Sequence, residues 1–191
     1  MKFPTLKKTR SFLACVVLFA QFSSNALGGA TTATEDEVRA AFLFQLAQYV
    51  NWPSRPPDQQ GAPLRFCVLG QDRLITTLEP TVRGKSIEGR SIVVLRISSA
   101  KQLVDCDLAF IAFQSEKQIR ATLINWTYPP VLLVGEADRF AELGGMVNLI
   151  INSGRVAFEI NIAAAARAHL ELRSQLLRFA RIVSSEKGAK R

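Results

Sequence analysis

The chain has 191 residues, 48% hydrophobic and 21% charged, which is enough apolar material for one domain with its own core and too much for a disordered chain. One His and three Cys cannot supply the clustered ligands of a structural zinc site, and no run approaches the roughly 20 apolar residues of a membrane-spanning helix. Zinc-finger and polytopic membrane proteins are excluded, and the formal charge of +8 has to be located before it can suggest nucleic acid.

Much of that charge is at the start. Lys2, Lys7, Lys8 and Arg10 precede FLACVVLFAQF at residues 12–22, and Ser24-Asn25-Ala26 supplies the small residues a signal peptidase reads. Residues 1–26 are expected to be a secretory signal peptide, and residues 27–191 the mature domain. Cleavage leaves 20 basic against 16 acidic residues, a charge of +4, so nucleic acid is not expected as a partner. Cys15 lies inside the apolar stretch and leaves with it. Cys67 and Cys106 remain in a compartment where thiols oxidise, and a disulfide between them is expected, with two separate buried thiols as the alternative. Without a Cys-x-x-Cys spacing the bond is structural.

Thr34-Glu35-Asp36-Glu37 reads as a capping box opening a helix whose stripe is Val38, Ala41, Phe42, Leu46, Tyr49 and Val50. Trp52-Pro53 ends it, and Pro53, Pro56, Pro57 and Pro63 mark an exposed loop. Residues 64–69, 92–97, 108–113, 131–134, 146–151 and 156–160 read as strands, with short helices at 71–78 and 116–124 between them. Alternation of this kind predicts a single-domain layered α/β fold, a mixed but mostly parallel sheet with helices on both faces. Only Asn152-Ser153-Gly154 separates the last two strands, which predicts a late antiparallel hairpin. Asn161 is an N-cap for a helix at 162–168. A second helical stripe follows at Leu172, Leu176, Phe179, Ala180 and Val183, with a break near residues 169–172, and Arg173, Arg178 and Arg181 read as its solvated face.

No pattern of catalytic residues emerges. Gly84-Lys85-Ser86 leads into a strand and lacks the first glycine of a phosphate loop, so it is a turn. Gly144-Gly145 reads as a tight entry, with positive φ, into the strand at 146–151. His169 is the only candidate histidine base and has no nucleophile nearby in sequence, which favours a surface or capping role. Asp105 and Asp107 flank Cys106 without forming an evident acid/base pair. Glu159 alternates with Phe158 and Ile160, which places it on the opposite, exposed face. Neither enzymatic activity nor a cofactor is expected.

Ala40-Ala41-Phe42, Tyr49-Val50-Asn51-Trp52-Pro53, Leu64-Arg65-Phe66-Cys67-Val68-Leu69-Gly70 and Cys106 before an apolar strand follow one another in a distinctive order. The strongest run is Phe140-Ala141-Glu142-Leu143-Gly144-Gly145-Met146-Val147-Asn148, then Val156-Ala157-Phe158-Glu159-Ile160-Asn161 and Ser174-Gln175-Leu176-Leu177-Arg178. Together these stretches resemble the YfiR family of periplasmic proteins, over residues 35–183. The resemblance implies a dimeric periplasmic repressor with oxidised cysteines. Such a repressor binds the periplasmic domain of an inner-membrane diguanylate cyclase, or a related membrane sensor, and is released by an OmpA-like outer-membrane lipoprotein, thereby controlling cyclic di-GMP and biofilm formation. Some members carry a second disulfide near the paired glycines, where Ala141 and Asn148 stand here.

The expected partner contact is the surface around the hairpin and the following helix, with Val147, Glu159, Asn161 and Gln175 as candidates. A small-ligand-binding module without catalysis is the alternative, because α/β sheets form crevices at the carboxyl ends of their strands.

Overall fold

The first helical turn among the described residues is set by two reciprocal hydrogen bonds: the Glu37 backbone N–H donates to Thr34 Oγ1 at 3.2 Å and the Thr34 N–H donates to the Glu37 carboxylate at 2.7 Å. This is the capping box expected from the sequence, and it opens α1 (Glu35–Gln48). The computed structural model describes residues 33–185 apart from 56, 58, 59, 71, 72, 125, 153 and 154. The expected signal peptide and the last six residues lie outside the described residues.

The buried face of α1 differs from the expected stripe. Ala40, Leu43, Leu46 and Ala47 are buried, together with Val50 just beyond, whereas Ala41 and Tyr49 are exposed. The physical reason is that residues 40–44 are apolar without interruption, so helical spacing fits more than one face and packing decides between them.

After β1 (Val50–Asn51) come β2 (Leu64–Leu69), α2 (Leu74–Val82), β3 (Ser86–Ile87), β4 (Arg90–Ile97), a 3-10 turn (Ala100–Asp105) and β5 (Leu108–Ile111). Then follow α3 (Glu116–Leu123), β6 (Leu132–Gly135), β7 (Val147–Asn152), β8 (Arg155–Ile160), α4 (Ile162–Arg167), β9 (Glu171–Leu172), α5 (Ser174–Leu177) and β10 (Arg181–Ile182). The main sheet has eight strands in the order β10-β8-β7-β6-β5-β2-β4-β3. It is parallel from β4 through β7 and again between β8 and β10, and antiparallel at β3–β4 and β7–β8. The mixed, mostly parallel α/β sheet and its late hairpin are therefore present. Every residue of β5 and β6 is buried, so the centre of the sheet is covered on both faces, as parallel strands require. Cys67, in the middle of β2, is bonded to Cys106 at the approach to neighbouring β5.

α2 runs farther than the expected 71–78, ending at Val82 with Pro80 inside it. Gly144 has φ +112°, in keeping with the expected tight entry to β7. Gly145 serves a different purpose, because a Cβ there would lie 2.1 Å from the Phe140 ring, so the ring takes the space a side chain would need.

The C-terminal segment departs most from expectation. Helix α4 stops in a left-handed cap: His169 has φ +55°, its N–H donates to Ala166 O at 3.0 Å, and the Leu170 N–H donates to Ala165 O at 3.0 Å. His169 is thus the capping residue the sequence suggested. Beyond it the expected helical stripe is replaced by β9, the one-turn α5 and β10. Leu176 is buried but Phe179 is 80% exposed. Pairing of β9 with β1, and of β10 with β8, satisfies backbone groups that helical periodicity would have placed in a helix.

Candidate binding site at the hairpin

The β7–β8 register puts Val147 opposite Ile160 and Asn148 opposite Glu159. Val147 and Asn161 are fully buried and Glu159 is 2% exposed. The expected exposed position of Glu159 is therefore corrected, and Val147 and Asn161 are likewise not presented at the surface. Gln175, on α5, is the one exposed residue of the four. Val147 is interior because β7 lies between β6 and β8. Asn161 holds three connections: Oδ1 accepts from the Ala164 N–H at 2.9 Å, while Nδ2 donates to Ala141 O at 2.8 Å and Ser185 Oγ at 2.7 Å. It is the N-cap of α4, as expected.

Glu159 can be buried because partners reach it from both neighbouring strands. Arg181 on β10 forms an ion pair with it, and Asn148 Nδ2 on β7 donates to its Oε2 at 3.2 Å. Arg181 is therefore an ion-pair residue as well as a solvated one. Arg173 also has partners, donating to Asn51 Oδ1 at 3.0 Å and to Glu88 at 3.2 Å.

Around this pair lies a cavity of about 300 Å³, bounded by the loop after β6 and by the β7–β8 hairpin. Its lining includes Glu136, Asp138, Arg139, Glu142, Asn148, Glu159 and Arg181. Arg139 pairs with Glu142 at 2.8 Å and Arg39, from α1, pairs with Glu136 at 2.8 Å. Burial works against the charged form of Arg39, but Glu136 and Asp36 outweigh it and hold the guanidinium more firmly protonated than usual. Asn148 Oδ1 is buried without a hydrogen-bond partner among the described residues, an arrangement that typically costs about 1–3 kcal/mol.

Sequence reasoning singled out Glu159 and missed the groups that give it a setting. Asn148 was detectable as a lone amide inside an apolar strand, since a buried polar side chain is rarely accidental. Arg181 was not, because its position depends on β10, a two-residue strand.

A second polar cluster lies beside the disulfide. The Asp107 carboxylate accepts from Arg55 at 2.5 Å, from Arg90 at 3.3 Å and from the Arg65 N–H at 2.7 Å. Arg55 belongs to the proline-rich loop, so Asp107 fastens that loop to the start of β5, at the centre of the sheet. Neighbouring Asp105 uses its backbone carbonyl to accept from Arg65 at 3.0 Å. Asp107 is surrounded by arginines rather than coupled to a second carboxylate, which makes the cluster a structural clamp.

Among the described residues no helix is long and apolar enough to cross a membrane. The profile described as YfiR/HmsC-like matches residues 36–181, about three quarters of the chain. Among solved structures, the chain is similar to the ABC domain in complex with L-Trp from Streptococcus pneumonia, at 10% identity and a TM-score of 0.46. That similarity covers 78% of this chain and 60% of the other.

Proposed function

Because this chain belongs to the YfiR/HmsC-like family, we propose that it is a periplasmic regulator of cyclic di-GMP signalling that acts by binding a partner rather than by catalysis. The observation that carries the reading is the family match across residues 36–181, which takes in the sheet, the disulfide and the hairpin. The partner is the periplasmic domain of an inner-membrane diguanylate cyclase or a related membrane sensor. Binding holds the cyclase inactive, and an OmpA-like outer-membrane lipoprotein removes the regulator and restores synthesis. Export through the signal peptide at residues 1–26 puts the chain where that domain is displayed.

The architecture suits a binding role. A disulfide ties β2 to the approach to β5, and Asp107 clamps the proline-rich loop, so the scaffold that carries a partner surface is rigid and little of it has to be ordered on binding. Of the candidate contacts, Gln175 keeps its role in this reading, with Phe179 exposed four residues on. Val147, Glu159 and Asn161 are buried and have structural roles in this reading. The regulator works as a two-fold homodimer, the commonest symmetric assembly.

The test is to combine the mature chain with the purified periplasmic domain of a membrane cyclase encoded in the same genome and to measure binding by calorimetry. Saturable binding is expected. Failure to bind every such domain would remove the proposal.

A further inference from the structure

We propose that the outer edge of β4 is where two copies of this chain meet, β4 pairing antiparallel with β4 of the second copy across a two-fold axis at Leu95. This assignment rests on the homodimer reading and names its interface. β4 is eight residues long, and β3 covers only its first two, with Ser86 opposite Ser91 and Ile87 opposite Arg90. Among the described residues no strand pairs with the outer side of residues 92–97. Edge strands are normally guarded by shortness, proline or charge. β10, at the other end of the sheet, is two residues long, whereas β4 presents Ile92-Val93-Val94-Leu95 with neither proline nor charge. The charge that follows is drawn off the edge, since Arg96 Nη1 donates to Gly70 O, at the end of β2, at 3.2 Å.

The turn before β4 fixes which backbone groups face outward. Glu88 and Gly89 have φ +51° and +77°, the two positive values of a two-residue hairpin turn, so Ile87 and Arg90 are its closing hydrogen-bonded pair. Alternation from Arg90 directs the N–H and C=O of Val94 away from β2. Ile97, of the other parity, accepts from the Gly70 N–H at 3.4 Å on the β2 side, as the same alternation requires.

A second β4 fits this edge. With the axis at Leu95, Leu95 faces its own copy, Val93 faces Ile97 and Val94 faces Arg96, so the exposed Val93 and Leu95 are covered and no arginine opposes an arginine. The paired stretch, 93–97, stops short of the residues that β3 occupies. Beside the edge a cavity of about 320 Å³ reaches to Val82 in α2 and leaves room for the incoming strand. Its charged lining residues, Glu79 and Arg83, are of opposite sign and set no net charge against a copy.

The test is Leu95→Cys in the mature chain, whose two natural cysteines are joined to each other. At the axis, position 95 faces itself in a non-hydrogen-bonded pair, with Cα atoms about 4.5 Å apart and within disulfide range. Mild oxidation should therefore convert Leu95→Cys to a covalent dimer, and should leave Ile124→Cys, an exposed position after α3, largely monomeric on a denaturing gel. Leu95→Lys sets like charges face to face and should weaken the dimer by about tenfold or more, read by light scattering, with the urea midpoint nearly unchanged. If wild type is a dimer and Leu95→Cys cross-links no more than Ile124→Cys, or Leu95→Lys dimerises as wild type does, the edge assignment is overturned and the homodimer reading stands. A wild-type monomer throughout overturns both. Weaker binding of the cyclase domain by a Leu95→Lys chain that stays dimeric gives the edge to that partner and also overturns the assignment. Cross-linking decides the matter even if Leu95→Lys fails to fold.

Discussion

The carboxylate of Glu159 on β8 is paired with the guanidinium of Arg181 on β10, and the two residues are direct cross-strand neighbours. Their environments are unequal: the Glu159 side chain is 3% exposed and that of Arg181 is 69% exposed. The pair therefore attaches the C-terminal segment to the sheet from one buried and one solvated end. Its energetics depend mainly on Glu159, because Arg181 can recover water if the pair is broken and Glu159 cannot.

This asymmetry predicts the outcome of substitutions at the site. Glu159→Gln keeps a hydrogen-bonding side chain and should lower stability by about 1–3 kcal/mol. Glu159→Lys buries a positive charge facing Arg181 and should cost about 3–5 kcal/mol. Arg181→Gln leaves the buried Glu159 carboxylate without its counter-ion and should cost more than Glu159→Gln, which leaves only a solvated arginine. Urea denaturation of the three variants gives the ranking, and an unaltered midpoint in Glu159→Lys would show that the carboxylate is solvated.

The disulfide closes a sequence separation of 39 residues between β2 and the approach to β5, at the centre of the sheet. In the chain-entropy model a loop of that size contributes roughly 4 kcal/mol. The double variant Cys67→Ala/Cys106→Ala is expected to lose about 2–5 kcal/mol in chemical denaturation. Alkylation of exported protein followed by mass spectrometry should recover neither cysteine as a free thiol.

The start of α1 has a pH dependence of known sign. Hydrogen bonds from the Thr34 backbone and side chain hold the Glu37 carboxyl below its ordinary pKa. A group whose folded pKa is lowered contributes its stabilisation fully above the ordinary carboxylate range and loses it as pH falls through the lowered value. An NMR titration should place the Glu37 midpoint below the ordinary range. Thr34→Ala removes the side-chain hydrogen bond and keeps the larger backbone one, so it should raise the midpoint only part of the way, and it should cost about 1 kcal/mol of stability through loss of the cap.

Legibility in the sequence followed the reach of the interactions. Local signals were readable: the Thr34–Glu37 box, the Asn161 cap, and the apolar runs of β2, β5 and β6 each carry their structure in a few consecutive residues. Glu159 was misplaced because strand alternation assigns residues to one face or the other without saying which face is covered, and the partners that make its burial tolerable come from Asn148 and Arg181. The C-terminal helix was expected because Leu172, Leu176 and Phe179 suit helical spacing, whereas strand pairing with distant β1 and β8 decides the conformation there. The cavity itself was invisible, since it is formed by the loop after β6 and by the hairpin, and its unpaired Asn148 oxygen has meaning only once the neighbours are known.

Gln175 and Phe179 give the proposed partner surface a direct mutational test. Both are exposed, so Gln175→Arg and Phe179→Ala should change stability by no more than about 0.5 kcal/mol. Large aromatic side chains dominate many interfaces, so Phe179→Ala should weaken partner binding by about tenfold or more if it is a central contact. Unchanged binding in both variants would move the interface elsewhere on the molecule.

Homodimer formation is checked by light scattering of the mature chain across micromolar concentrations. A mass twice that of one chain is expected, and a monomer throughout would contradict the proposed assembly.

The most direct test of the regulatory account is the activity of the membrane cyclase itself. Reconstituted in vesicles with its periplasmic domain accessible, the cyclase should make less cyclic di-GMP as mature chain is added, with half-inhibition near the dissociation constant measured by calorimetry. Cyclic di-GMP synthesis that is unchanged at saturating occupancy of the periplasmic domain would contradict the account.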